Sequence, residues 1–175
     1  LDDPRDFNAL AEDALYWTME NLSADNIAFL KSLPRSRIVD GCFLAVHGWV
    51  NDTDRYVFGA MDALRNFNIL KISGAINVCF FGHTHVAISY IEDHGAVKIN
   101  SDQEIEIEER FNYLINPGGL GQPRDRDPRA PFLIYDAEAC LVQFHRVPYD
   151  LDKTIRKIVD VGLPGRLGER LRQGW

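Results

Sequence analysis

Ile76-Asn77-Val78-Cys79-Phe80-Phe81-Gly82-His83-Thr84-His85 is the stretch from which the rest of the chain is read. Its apolar run is broken only by Asn77, is too short for an ordinary helix, and reads as a buried strand that Gly82 ends in a turn. Two histidines at i and i+2 on such a turn aim both imidazoles into one crevice. Cys42-Phe43-Leu44-Ala45-Val46 runs into His47-Gly48 with the same layout. Two apolar strands that each deliver histidine to one sheet edge point to a metal site.

Neutral imidazole is a common ligand for zinc, manganese, iron and nickel. A bound divalent ion makes water a nucleophile at neutral pH, and two ions can clamp the attacking and leaving oxygens of a phosphoryl group. The alternative is that His83 and His85 bond backbone carbonyls in a tight loop. Spacing alone leaves both readings open.

Composition narrows the class. The 175 residues, 46% of them hydrophobic, suffice for one good core, so a single domain over residues 1–175 is expected. A net charge of −7 argues against a nucleic-acid partner, which calls for a basic face. Cys42, Cys79 and Cys140 sit in apolar segments at unrelated spacings and read as small buried hydrophobes in a reducing, cytoplasmic compartment. No apolar run reaches membrane-spanning length, and no charged-then-apolar leader is present.

Helical spacing covers Asn8–Leu22, with Phe7 and Trp17 flanking the stripe, and Ser23 caps a short helix that stops before Pro34. A hairpin turns at Asp40-Gly41. Tyr56–Phe67 is expected as a helix, with a second over Ile69–Ile72. Strands follow over Val86–Ile91, Ala96–Ile99, Glu104–Glu108, Asn112–Ile115, Pro131–Tyr135 and Ala139–Arg146. Ile105 and Ile107 alternate with three glutamates, the pattern of a half-exposed strand. Helices over Asp150–Val161 and Pro164–Arg172 close the chain.

Asn116-Pro117-Gly118-Gly119-Leu120-Gly121-Gln122-Pro123-Arg124-Asp125 and Asp127-Pro128-Arg129-Ala130 form a polar, glycine-rich loop between two strands. Its glycines let backbone N–H groups approach an anion, and Arg124 and Arg129 have the chemistry to pair with phosphate oxygens. Equally, those arginines have Asp125 and Asp127 at hand as partners.

With Val46-His47-Gly48, Gly82-His83-Thr84-His85, Asn116 to Ala130, Arg146-Val147-Pro148-Tyr149-Asp150 and Gly162-Leu163-Pro164 in this order, the chain resembles the calcineurin-like metallophosphoesterases, in particular the small prokaryotic phosphodiesterase-like members. The resemblance covers the carboxy-terminal portion of that family's domain. It implies an α/β fold, a two-sheet sandwich flanked by helices, here without its amino-terminal strands. It also implies two divalent ions (Mn, Fe, Zn or Ni), one bound by His47 and His83 and the other by His85. A metal-bound hydroxide would then hydrolyse a phosphomonoester or phosphodiester, either a small molecule or a phosphoprotein. Asn116 and Arg124 would bind substrate.

The family's Asp-x-His, Gly-Asp-x-x-Asp and Gly-Asn-His-Asp (or Glu) motifs do not occur in this sequence. The bridging aspartate and the general acid therefore have no counterpart here, and the chain alone is expected to be inactive. The favoured expectation is a longer enzyme whose amino-terminal segment carries those motifs, consistent with an opening at Leu1-Asp2-Asp3-Pro4. A non-catalytic binding or scaffold module is the alternative, and a regulatory nucleotide-binding module a third class. His94 is expected to be exposed in a turn, His145 partly buried and hydrogen-bonded, and Trp49 packed, with the rim of a pocket as its alternative place.

Overall fold

The computed structural model describes residues 8–72, 74 and 76–175. Along the chain lie Ala9–Asn21 (α1), Ala24–Ser32 (α2), Ser36–Val39 (β1), Phe43–Val46 (β2), Ala60–Ile72 (α3), Val78–Phe80 (β3) and Ile88–Asp93 (β4). They are followed by Ala96–Asn100 (β5), Glu104–Glu106 (β6), Asn112–Asn116 (β7), Ala130–Asp136 (β8), Leu141–Val147 (β9), Leu151–Asp160 (α4) and Gly165–Gln173 (α5). These elements divide between two compact units.

The unit spanning Arg35–Tyr149, with Gly174–Trp175, holds both sheets. One sheet has the order β1-β2-β3-β7-β4-β5, and the other β6-β9-β8. Strand β3 is parallel to β2 on one side and to β7 on the other, and a central parallel strand is buried on both faces. That is why its sequence runs apolar without alternation. Val78, Tyr113 and Ile115 point toward Ile105 and Val142 of the smaller sheet and make one core. Their neighbours Cys79 and Leu114 point the opposite way, onto Ala63, Phe67 and Leu70 of α3, and make the other. The result is a two-sheet α/β sandwich with a helix on its larger sheet.

The other unit contains α1, α2, α4 and α5. Each of the first three has the cap its sequence calls for: Asn8, Ser23 and Asp150 accept from the backbone N–H of Ala11, Asn26 and Lys153. Gly168 lets α5 close on α4, since a Cβ there would lie 2.9 Å from Ile155 Cγ2. Phe7 falls outside the described residues.

Several expectations are corrected. The helix expected at Tyr56–Phe67 starts only at Ala60, because Gly59 has φ +86° and the Phe58 N–H is taken by the Asp62 carboxylate. It then runs unbroken to Ile72. The break expected between Phe67 and Ile69 is absent, and Asn66 within the helix bonds Asp62 O and the Val50 N–H. Val86 and Ala87 are not paired in β4, and the Ala87 N–H donates to Asp125. The glutamate-rich strand ends at Glu106, and the Glu108 N–H binds the Tyr113 hydroxyl. Only Cys79 is buried; Cys42 and Cys140 are exposed because both lie in hairpin turns rather than within strands. His94 is exposed in its turn, as expected. His145 is partly buried and stacked on Phe132, with its Nε2 unpartnered.

One buried charge ties α3 to the β4–β5 hairpin. Glu92 is 1% exposed and accepts from Lys71 at 2.7 Å, the Gly95 N–H at 2.6 Å and Asn112 Nδ2 at 2.8 Å. Burial alone would raise its pKa, but these three donors outweigh it and hold the carboxyl below its ordinary value of 4.5. The stabilisation is therefore complete above pH 4.5 and is lost as pH falls through the lowered folded value. Glu92→Gln, which turns a second amide toward two donors, should cost about 2–4 kcal/mol at pH 7. Urea unfolding would show the gap between wild type and variant narrowing as pH drops below that range.

Candidate metal centre

Parallel pairing sends the carboxy ends of β2, β3 and β7 out of one sheet edge. There the Gly82 N–H donates to the carbonyl of His47 at 2.8 Å, joining two strand exits. Asn116, at the end of β7, is fully buried. Its amide donates to Gly82 O at 2.8 Å and Thr84 Oγ1 at 2.9 Å, while its Oδ1 accepts the Gly118 N–H. Both polar groups of Asn116 are thus spent on the framework. His83 and His85 have φ values of +66° and +58°. Left-handed backbone at two non-glycine residues costs about 1 kcal/mol or more each, and such strain concentrates at functional sites.

The imidazoles are held by acceptors that fix their tautomers. His83 Nε2 lies 3.0 Å from the carbonyl of Asp54, so Nε2 carries the proton and Nδ1 the lone pair. That Nδ1 lies 3.0 Å from His47 Nε2, which donates to it. His85 Nδ1 donates to the Gln122 carbonyl at 2.7 Å, leaving the Nε2 lone pair open. Anchoring one nitrogen on a carbonyl so that the other can ligate is the usual support of a metal-binding histidine. The backbone bonds that offered an alternative to metal binding are therefore present and compatible with it.

Burial lowers the pKa of His47, and the neighbouring His83 lowers it further, against a partial offset from Asp54. Burial also lowers that of His85, with Arg124, His47 and His83 adding to the effect and the Gln122 carbonyl opposing it. Both rings are thus biased toward the neutral form that binds metal.

The donor set fits an ion in part. The 3.0 Å separation of the His47–His83 pair is that of an N–H···N hydrogen bond, and with that proton lost both nitrogens would be free to hold an ion. Among the described residues, no three His, Cys, Asp or Glu side chains come together as a cage.

The glycine-rich loop closes over this edge. A Cβ on Gly119 would stand 2.6 Å from His85 Cβ and 2.7 Å from Gln122 O, so only glycine permits the approach. Gln122 Oε1 accepts from Arg124 at 3.0 Å, and Arg124 Nε is buried without a partner. Arg129 is clasped by Asp127, and Arg146 by Asp125. The Arg129 pairing depresses the pKa of Asp127 to about 2. Sequence reading missed three supports: the Asp54 carbonyl, Gln122, and Tyr56, whose ring stacks on His83 at 3.8 Å. The first two act through main-chain atoms, which carry no residue-type signal. Trp49 is buried, and its indole N–H donates to Tyr56 O.

A metallophosphoesterase from Sphaerobacter thermophilus, known as a crystal structure, is 36% identical to this chain and superimposes with a TM-score of 0.83 over 100% of it and 70% of that protein. The chain belongs to the metallophosphoesterase family. It is also 31% identical over 174 residues to the uncharacterized protein MJ0912 of Methanocaldococcus jannaschii, covering 96% of this chain and 68% of that one. The hypothetical protein PH1004 of Pyrococcus horikoshii, at 18% identity and a TM-score of 0.75 with 66% of its length covered, shares the fold. The sequence matches no family model.

Long-range proton–nitrogen NMR should place the proton of His85 on Nδ1, with His47 and His85 both titrating below the ordinary 6.5. Since these lowered values favour the neutral fold, their contribution to stability is lost as pH falls through the titration. Gly119→Ala should remove the His85 Nδ1–H signal and cost about 1–3 kcal/mol by overpacking.

Proposed function

We propose that this chain contributes half of a dinuclear phosphoesterase site, with His47 and His83 toward one divalent ion and His85 toward a second. The observation that carries this reading is the 3.0 Å nitrogen pair of His47 and His83 beside an anchored His85, on one sheet edge of a chain from this family. Bound ions would polarise a phosphoryl oxygen and acidify a water. The chain's own groups bind and orient: the strained Gly82–His85 turn aims the imidazoles, and the guanidinium of Arg124, held by Gln122, is available to a phosphate oxygen. Substrates of this reading are phosphomonoesters or phosphodiesters, small or on protein.

Three neutral imidazoles do not balance two dications, so the reading assigns carboxylate ligands to a further, amino-terminal segment as intramolecular partner. Among the described residues no helix is long and apolar enough to cross a membrane. The two exposed free thiols, Cys42 and Cys140, suit a reducing cytoplasm. A non-catalytic scaffold is the second reading, favoured by the absence of a three-ligand cage among the described residues.

Titrating Mn²⁺ or Zn²⁺ calorimetrically into wild type and His83→Ala separates the two. On the phosphoesterase reading His83→Ala weakens metal binding by about 10-fold or more. It also removes chelator-sensitive hydrolysis of p-nitrophenyl phosphate and bis(p-nitrophenyl) phosphate by the complete protein. Identical metal isotherms for wild type and variant would leave the scaffold reading standing.

A further inference from the structure

The loop between β2 and α3 carries a ring stack that the metal site does not require. The Tyr56 ring lies 3.8 Å from His83 at 22°, and the Phe58 ring lies 5.0 Å from Tyr56 at 9°. Phe58, at the outer end, is 69% exposed. An exposed phenylalanine on a mobile loop would mean little, but this segment is fastened at each step. Trp49 Nε1 holds Tyr56 O at 2.7 Å, and Val57 is buried in the core. The Asp62 carboxylate accepts the Phe58 N–H at 2.9 Å, and the Tyr90 hydroxyl accepts the Gly59 N–H at 3.2 Å. A flat apolar face is thus kept in water, preoriented, and continuous through two parallel rings with a histidine of the metal site.

We infer that Phe58 and Tyr56 form a stacking shelf for the planar base of a nucleoside polyphosphate whose phosphate chain lies at the histidine cluster. The inference rests on the phosphoesterase reading for the position of the phosphates and adds the class of group attached to them. Parallel rings with an open outer face are what a heteroaromatic ring stacks on, and stacking of this kind tolerates any base. Length selects the ligand further. The two ring steps, 3.8 and 5.0 Å between centroids, put the centre of Phe58 up to about 9 Å from His83, and a base stacked on it farther still. A base joined through one phosphate falls short of that span, whereas one joined through a phosphate chain covers it. The shelf therefore acts on the part of the substrate remote from the reacting phosphorus and confers affinity rather than chemistry.

The test compares ligands with and without a base, by equilibrium binding to the complete protein with diamagnetic Zn²⁺ present and ring resonances followed by NMR. ATP should bind about tenfold more tightly than inorganic tripolyphosphate and shift the Phe58 and Tyr56 ring signals upfield. Phe58→Ala should bring ATP down to the affinity of tripolyphosphate and leave tripolyphosphate unchanged, while Phe58→Trp should keep the preference. AMP should gain nothing over inorganic phosphate. Equal affinities for ATP and tripolyphosphate in wild type, or an ATP preference that survives Phe58→Ala, would overturn the shelf. An equal gain for AMP would overturn its assignment to polyphosphates. The underlying reading fails separately, if His83→Ala leaves tripolyphosphate binding untouched. Loss of all binding in wild type would sink both.

Discussion

The site depends on one buried amide. Asn116 ends β7 and uses its two donors on the Gly82 carbonyl and the Thr84 hydroxyl, while its oxygen takes the Gly118 N–H. It thereby sets the histidine turn at one end and starts the glycine-rich loop at the other. The Gly82 N–H, bonded to His47 O, brings in the third strand end. Two residues with left-handed backbone persist only where the surroundings over-determine them. Here the over-determination comes from a fully buried side chain whose unmade bonds would each carry a desolvation penalty of about 1–3 kcal/mol.

The loop after Asn116 is fixed from the other sheet. Asp125 accepts the Ala87 N–H and pairs with Arg146 of β9. Asp125 thus ties the segment just before β4 to β9 of the smaller sheet, three residues beyond the carbonyl that anchors His85. The position of Gln122, and with it the tautomer of His85, follows from packing between sheets rather than from the loop's own preferences.

The architecture was largely legible in the sequence because its signals are local. Val78–Phe80, the Asp40-Gly41 turn, the Ser23 cap and the alternation around Ile105 each state their own structure. The histidines were legible for the same reason: each closes an apolar strand, and parallel strands must end together. What failed was set by distant partners. Tyr56 to Phe58 has a helical look, but Gly59, Trp49 and Tyr90 hold it out of the helix. The partners of the loop side chains were equally out of reach of sequence, which left the arginines open between an anion and the neighbouring aspartates: the fold gives Arg129 to Asp127, leaves Arg124 Nε unpartnered, and bonds Asn116 to the histidine turn.

The His47–His83 contact carries its own argument about occupancy. Two imidazoles with nitrogens 3.0 Å apart share one position between them, since two protons there would set N–H against N–H. The Asp54 carbonyl takes the proton of His83 Nε2, so His83 Nδ1 offers a lone pair at that position and the proton there is the one on His47. Burial and the neighbouring His83 lower the pKa of His47, against a partial offset from Asp54, and so disfavour a second proton. The strand exits and the buried amide of Asn116 thus fix where the three imidazoles stand.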